Sequence, residues 1–327
     1  MITIYLKNNR KPLHNVSSDN LEKIDRKDIL WIDLDNPTGD EKNTIENFLD
    51  LKLLTRAQAE EIESTSKYSE TPESIISNCN YFISKGHSYE IEPTTFIIPK
   101  EGFLVSDHRV HSSSFLDADK RILASPNKNN DGYEAFITIL ESLIDYDADM
   151  VELISKQISS LAKDINSSDN IEKSVLHRIN NLQEKTMSMR ENIFDLQRLL
   201  SAIMKSSRFP STIDSRLNLM IKDVDSLISH GEISFERLDY LQDTTMGLIN
   251  IEQNEIVKIL SVAAVIFMPP TLIASIYGMN FKVMPELDWV FTMDNGWIIP
   301  AGYIFAIFLM VTVTMLTYWF FKYKKWL

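Results

Sequence analysis

The sequence is poor in cysteine, which secreted proteins use for cross-links, and it lacks the short motifs that enzymes use for chemistry. Cysteine occurs once, at Cys79, so the chain cannot form an internal disulfide, which fits a reducing compartment. The sequence has no phosphate-binding Gly-Lys-Ser/Thr loop, no His–Cys pair at metal-ligand spacing and no nucleophile motif. We therefore predict a protein that is not an enzyme and that carries no cofactor.

Charge is missing from two long stretches near the C-terminus. Residues 259–281 contain no charged side chain across 23 positions, and residues 295–321 contain none across 27. As helices, both exceed the roughly 20 residues that cross about 30 Å of hydrocarbon. Both lie in the last quarter of the chain, so neither is an N-terminal signal peptide. Two buried helices of a soluble protein would show the same pattern, but we predict two transmembrane helices.

The charge that is present is unevenly distributed. The chain carries a net charge of −13, and because residues 256–327 carry five basic and three acidic side chains, residues 1–255 carry −15. Such an acidic domain argues against a nucleic-acid partner and can concentrate cations, although excess acid also keeps many domains soluble. Lys322, Lys324 and Lys325 directly follow the second stretch. The positive-inside rule therefore predicts a protein of the inner (plasma) membrane with both termini in the cytoplasm.

Residue periodicity predicts an α/β domain followed by long helices. Strand-like runs cover 29–34, 75–85, 94–99 and 102–106, with a hairpin turn at 99–102, and Thr38 or Asp40 caps a helix through Leu53. Thr55 is a candidate cap for a second helix. From Tyr133 onward the apolar spacing is helical, interrupted by a turn at 206–210 and a break at His230-Gly231.

A continuous helix over 233–278 would be about 68 Å long, more than a bilayer needs, so part of it is predicted to be a cytoplasmic stalk that requires oligomeric partners. The predicted segments are a cytoplasmic α/β domain over 1–132, a cytoplasmic helical region over 133–231, a stalk helix over 232–255, a pore-lining transmembrane helix over 256–279, an external loop over 280–296, a second transmembrane helix over 297–321 and a basic tail over 322–327.

Short motifs flank the first charge-free stretch. The chain reads Tyr-Gly-Met-Asn-Phe over 277–281 and Met-Pro-Glu-Leu over 284–287, with Phe-Met-Pro-Pro-Thr over 267–271 and a closing Lys-Lys-Trp-Leu over 324–327. The soluble part contains Trp-Ile-Asp-Leu over 31–34, Asn-Pro-Thr over 36–38 and Thr-Thr-Phe-Ile over 94–97. In these motifs the sequence resembles the CorA family of magnesium transport proteins, and the resemblance extends over essentially the whole chain.

The resemblance implies a homopentameric funnel, in which five first spans surround a pore for Mg²⁺ and five second spans face the lipid bilayer. It implies a selectivity filter at Gly278, Met279 and Asn280. It also implies pore-lining and gate positions at Asn254, Leu260, Met268 and Thr271. Co²⁺ and Ni²⁺ are implied as minor substrates, and Mg²⁺ is implied as both the transported and the regulatory ion.

Elementary chemistry supports an amide filter. Mg²⁺ gives up its octahedral water shell reluctantly, so a ring of neutral amide oxygens can accept hydrogen bonds from those waters and recognise the hydrated ion. Leu260 and Met268 would then be narrow apolar collars. Asn280 could instead cap the helix in the left-handed conformation, and Leu260 and Met268 could pack against other helices or lipid.

Two acidic pairs are further candidates. Glu286 and Asp288 of the predicted external loop would attract cations, and Asp223 and Asp225 would form a regulatory Mg²⁺ site with a neighbouring subunit, in the region of Glu60, Glu61 and Glu63. A solvated surface is the alternative for both pairs. Two alternatives exist for the whole protein: a zinc transporter of the same superfamily, or a membrane-anchored sensor without a pore. A sensor would need neither an amide ring nor an apolar collar.

Overall fold

The computed structural model divides the chain into two compact units, Met1–Asp243 and Thr244–Leu327. Its description covers the chain apart from residues 8, 15, 17–20, 22, 54–66, 86–87, 110–112, 126–129, 168–172, 281, 283, 287, 293–297 and 325–327. The candidate cap Thr55, the acidic residues Glu60, Glu61 and Glu63, and the end of the basic tail from Lys325 lie outside the described residues.

The first unit is built on a seven-stranded sheet of order β2-β1-β3-β7-β6-β5-β4. The strands are β1 (Ile2–Leu6), β2 (Asn9–His14), β3 (Ile29–Asp35), β4 (Tyr68–Glu70), β5 (Ser74–Lys85), β6 (Ser88–Pro99) and β7 (Leu104–His108). The β3–β7 pair is parallel, and the other pairs are antiparallel. The predicted hairpin between 94–99 and 102–106 is confirmed, and Gly102 supplies its left-handed residue with φ +78°.

Alternation along the strands produces two cores, one on each side of the sheet. Trp31 belongs to a large cluster with Phe96 and Phe136, whereas its neighbour Ile32 belongs to a smaller cluster with Ile45. This is the period of two expected of a strand that is buried on both faces.

The smaller cluster includes α1 (Gly39–Leu49). Thr38 caps this helix through a capping box with Glu41, as predicted. The helix ends at Leu49, four residues before Leu53, because Asp50 adopts the left-handed conformation at φ +51°.

Three helices contribute side chains to the larger core. They are α2 (Ser113–Ala124), α3 (Gly132–Ser167) and α4 (Lys173–Lys205). The predicted turn at 206–210 is confirmed, because α4 ends at Lys205 and a short 3₁₀ turn, Ser211–Ile213, leads into the next helix. Helix α2 was not predicted as a separate element.

The next helix, α5, runs without interruption from Asp214 to Tyr277 over 64 residues, so the predicted break at His230-Gly231 is wrong. The glycine has a packing role instead. A Cβ at position 231 would lie 2.8 Å from Cγ of Arg190 on α4, and the guanidinium of Arg190 lies 3.6 Å from Glu232. Gly231 therefore allows α4 and α5 to approach each other at this point, which offsets its low helix propensity.

The second unit contains the rest of α5, a small hairpin of β8 (Val290–Thr292) and β9 (Ile298–Pro300), and α6 (Ala301–Tyr323). Helices α5 and α6 are both long and apolar enough to cross a membrane. Helix α6 starts at Ala301 rather than at 297, because the preceding residues pair in the hairpin and Pro300 occupies the position before the first helical residue. The predicted fold class, an α/β domain followed by a long helix and two membrane helices, is confirmed.

A buried carboxyl in the larger core gives the first unit a pH-dependent stability. Asp147 on α3 is fully buried, and its Oδ2 accepts a hydrogen bond of 3.4 Å from Nδ2 of Asn192. Its Oδ1 has no partner among the described residues. Burial therefore raises the pKa of the Asp147 carboxyl well above its usual value, and the folded protein holds a proton that the unfolded chain releases.

Asp147→Asn is expected to become more stable relative to the parent protein as the pH rises from 5 to 8. Stability falls with pH wherever the folded state binds more protons, by up to about 1.4 kcal/mol per pH unit for one group, and the asparagine removes this loss. The difference in melting temperature between the two proteins at each pH measures the effect, because other titrating groups cancel in it. A constant difference across this range would contradict a raised pKa at Asp147.

Candidate ion pathway

The predicted filter follows directly after the last turn of α5. The amide of Gly278 donates to the Ala274 carbonyl at 2.9 Å, and the amide of Met279 donates to the Ile276 carbonyl at 3.2 Å. A Cβ at Gly278 would lie 3.0 Å from the Ala274 oxygen, so glycine suits this tight helix end. Asn280 is then the first residue free of the helix.

The side chain of Asn280 is exposed and forms no hydrogen bond with the residues that the structure describes. Its backbone does not have a positive φ, so the alternative of a left-handed helix cap is wrong for this asparagine. A polar amide at the end of an apolar helix is thus available to an ion, to water or to another copy of the chain.

The predicted pore positions lie on one face of α5. At 100° per residue, Asn254, Leu260, Met268, Thr271 and Gly278 lie within an arc of about 120°. Leu260 is 65% exposed and Met268 is 68% exposed in the single chain.

The same face contains three small or medium residues that are not among the predicted pore positions: Val257, Ala264 and Ser275. With them, the face repeats every three or four residues from 254 to 278, which is the signal that could have identified them. The stripe has no charged side chain along its length. We use the name pore stripe for residues 254, 257, 260, 264, 268, 271, 275 and 278.

Two consecutive prolines, Pro269 and Pro270, lie inside α5 beside the pore stripe. Proline lacks an amide hydrogen, so the carbonyls one turn earlier lose their usual helical partners. The hydroxyl of Thr271 donates to the Phe267 carbonyl at 2.6 Å. The hydrogen of this hydroxyl is therefore in use, but the oxygen keeps lone pairs that can accept a hydrogen bond from water.

The segment after the filter is acidic and partly tied to α6. Glu286 is half-exposed and Asp288 is exposed, and neither forms an ion pair within the described part of the chain. The ring of Trp289 lies 5.9 Å from that of Phe305 on α6, and the Gly302 amide donates to the Trp289 carbonyl at 3.2 Å. The two carboxylates are free to attract cations, but the structure does not bring them into a joint site.

The candidate regulatory pair is separated by the helix geometry. Asp223 and Asp225 are both exposed, but residues two apart point in different directions on a helix. Asp225 accepts a hydrogen bond of 2.6 Å from Gln197 on α4, whereas Asp223 has no such contact within the described residues. Among the described residues no group of three or more His, Cys, Asp or Glu side chains could hold a metal ion.

Comparison with known proteins identifies the family. The family model described as "CorA-like Mg2+ transporter protein" matches residues 26–324. This chain belongs to the CorA-like Mg²⁺ transporter family. The resemblance predicted from the motifs is therefore confirmed, and the family is one of membrane transporters rather than enzymes.

Individual relatives agree with the family model. The chain is 36% identical over 304 residues to the magnesium transport protein CorA of Wolinella succinogenes, covering 91% of both chains. It is 31% identical to the CorA protein of Helicobacter pylori J99, covering the full length of both. The solved complete structure of the CorA magnesium transporter from Methanocaldococcus jannaschii matches with a TM-score of 0.77 at 18% identity, covering 100% of this chain and 98% of that one. The last match supports the fold alone.

Proposed function

We propose that this chain forms a homopentameric channel that conducts Mg²⁺ into the cytoplasm, with both termini on the cytoplasmic side and Co²⁺ and Ni²⁺ as minor substrates. The observation that carries the proposal is the position of Asn280. Its exposed amide directly follows Gly278 and Met279 at the end of an uncharged pore stripe. Five such amides around one axis would form a neutral ring at the mouth of an apolar pore.

A neutral ring suits this ion better than a carboxylate ring. Mg²⁺ binds carboxylates well and exchanges its waters reluctantly, so a charged ring would retain the ion. Amide oxygens accept hydrogen bonds from the waters of the hydrated ion, and the ring size then favours one hydrated radius. The membrane potential supplies the driving force, about 4.6 kcal/mol per 100 mV for a divalent ion at about 2.3 kcal/mol per charge.

Uptake into proteoliposomes tests this function. Vesicles containing the purified protein and an internal magnesium indicator should take up Mg²⁺, and an inside-negative potential should increase the rate. Zn²⁺, Co²⁺ and Ni²⁺ are compared with matched indicators at the same potential. Uptake of Zn²⁺ faster than Mg²⁺ would identify a zinc transporter instead, and no uptake of any ion by a correctly assembled protein would favour a sensor without a pore.

We predict that Leu260→Ser and Met268→Ser make the closed pore leaky. Both side chains lie on the pore stripe, and in a pentamer their apolar rings would exclude water from the closed pore. A serine would hydrate the constriction, so Mg²⁺ flux at high internal magnesium should rise severalfold. Ile259→Ser is the matched control, because Ile259 is 68% exposed but lies on the opposite face of α5. Equal leak in the control and the two variants would place the gate elsewhere.

We also predict that Asp223→Asn combined with Asp225→Asn keeps the channel open at millimolar internal Mg²⁺. Mg²⁺ bound between these carboxylates and those of a neighbouring subunit would cancel their mutual repulsion and so stabilise the closed state. The asparagine variants cannot bind this ion, so the closed state loses that stabilisation. The measurement is Mg²⁺ current or flux as a function of internal magnesium.

Asp239→Asn is the control for this pair. Asp239 also accepts a hydrogen bond from a glutamine of α4, Gln183 at 2.9 Å, as Asp225 does from Gln197. The control should close at the same magnesium concentration as the parent protein. If the double variant closes there too, these two carboxylates do not sense Mg²⁺.

A further inference from the structure

A groove in the first unit lies between α3 and α4 and has no part in the ion pathway. It is an open groove with a volume of about 460 Å³, which is within the usual range of small-molecule sites. Its wall combines apolar surface, including Leu182, with polar side chains: Gln157 and Ser160 from α3, and His177, Arg178, Asn181 and Lys185 from α4. We call this cavity the donor groove.

A second cavity of about 230 Å³ adjoins the donor groove and shares Asn181 and Lys185 with it. Its wall is of a different kind, because Phe82 and Tyr89 stack with ring centroids 4.8 Å apart and the exposed Ile91 lies beside them. Glu184 lies on the same wall. The combined space therefore has a cationic, hydrogen-bonding part and an aromatic part with one acceptor.

Lys185, at the junction, is a cation that forms no ion pair with any residue that the structure describes. It is half-buried, and its ammonium lies 4.5 Å from the centre of the Tyr89 ring. No carboxylate of the described chain lies within ion-pair distance of it, although this domain is strongly acidic. Burial lowers the pKa of the Lys185 ammonium, which reflects the cost of holding an unpaired charge away from water.

The second cation of the donor groove, Arg178, does have a carboxylate partner. Arg178 donates to Asp164 at 2.7 Å, and this pair is largely exposed. Exposed pairs contribute little stability, so the guanidinium can exchange this carboxylate for another anion at small cost. An anion bound between Lys185 and Arg178 would neutralise the charge of the Lys185 ammonium. It would also accept two parallel hydrogen bonds from the Arg178 guanidinium.

We propose that the two cavities together bind a nucleoside phosphate. The phosphates lie in the donor groove against Lys185, Arg178 and His177, and the base lies in the smaller cavity against Tyr89 and Ile91. Asn181 and Glu184 offer a donor and an acceptor to the edge of the base. The aromatic part distinguishes this ligand from an inorganic phosphate, which would use the donor groove alone.

Equilibrium dialysis of the full-length protein in detergent, with radiolabelled ATP and with inorganic triphosphate, tests the proposal in the absence of added metal. ATP is expected to bind saturably, one per chain, and more tightly than triphosphate. Lys185→Gln should weaken both ligands at least tenfold, whereas Tyr89→Ala should weaken ATP and leave triphosphate unchanged. Lys205→Gln, at the exposed end of the same helix, is the control for a loss of one positive charge.

Three results would overturn the proposal. They are absence of saturable ATP binding at millimolar concentration, equal weakening by Lys205→Gln and Lys185→Gln, and equal affinity for ATP and triphosphate with no effect of Tyr89→Ala. Each variant is first tested for folding by the protection of its single buried thiol, Cys79, from a thiol-reactive dye. Because binding is measured without transport, a failure of the proposed channel function would leave these results unaffected.

Discussion

Replacing Asn280 with alanine is expected to abolish Mg²⁺ uptake while the protein still assembles in the membrane. The side chain of Asn280 is exposed and forms no hydrogen bond within the described chain, so its removal costs the fold little. In a pentamer, the same substitution would remove all five amide oxygens that replace bulk water around the hydrated ion. The measurement is Mg²⁺ uptake by proteoliposomes under an imposed potential, normalised to the amount of oligomer found by size-exclusion chromatography.

Two further variants make the Asn280 result specific. Asn280→Asp keeps the size and adds one negative charge to each copy of the chain, so it should bind Mg²⁺ more tightly and conduct it more slowly than the parent. Asn218→Ala removes an asparagine of the same helix whose Nδ2 donates to the Asp214 carbonyl at 2.9 Å, and it should transport normally. Normal uptake by a fully assembled Asn280→Ala protein would exclude the amide ring as the filter.

The parts of the fold that were predicted correctly are those that depend on local chemistry. A run of uncharged residues long enough to cross a bilayer can be recognised in the sequence, because a charged side chain in hydrocarbon has no water to solvate it. Both candidate membrane helices, α5 and α6, contain such a run. Thr38 and Glu41 form a capping box within four residues of chain. The turn at Pro99–Gly102 is equally local, since only the glycine needs a positive φ.

The errors arose where distant residues decide the local structure. Glycine weakens an isolated helix, so the local sequence predicts a break at Gly231. The packing of Arg190, 41 positions away in the sequence, explains why a glycine fits within the helix there. Likewise, the start of α6 depends on the pairing of Val290–Thr292 with Ile298–Pro300, which has no strong sequence signal. The separation of Asp223 from Asp225 follows from helix geometry alone, since residues two apart point in different directions on a helix.

The donor groove shows the same limit for a candidate site. Its walls come from α3, α4 and the β5–β6 hairpin, and no short stretch of sequence unites Phe82, Tyr89 and Lys185. By contrast, the pore stripe lies on a single helix, so periodicity alone relates its members. Sites on one element are predictable from the sequence, whereas sites assembled by several elements require the tertiary structure.

Gly132→Ala is expected to destabilise the first unit by about 3 kcal/mol or more, which is at the upper end for overpacking. Gly132 begins α3, and its amide donates to the Gly102 carbonyl at 2.8 Å. A Cβ there would lie 2.3 Å from the carbonyl carbon of Phe103 and 2.4 Å from the amide nitrogen of Leu104. These are backbone atoms at the start of β7, so no side-chain rotation can relieve the clash, and the helix would have to separate from the sheet.

The single buried thiol provides the measurement for Gly132→Ala. Cys79 lies in the core of the first unit and burial raises its pKa to about 12, so it reacts with a thiol-reactive dye only when that core opens. A loss of about 3 kcal/mol should raise the labelling rate of the full-length protein about a hundredfold, at tenfold per 1.4 kcal/mol. Gly39→Ala, where an added Cβ meets no atom within 4 Å, should leave the rate unchanged or lower it. If both variants label at the parent rate, the contact between α3 and β7 is looser than these distances require.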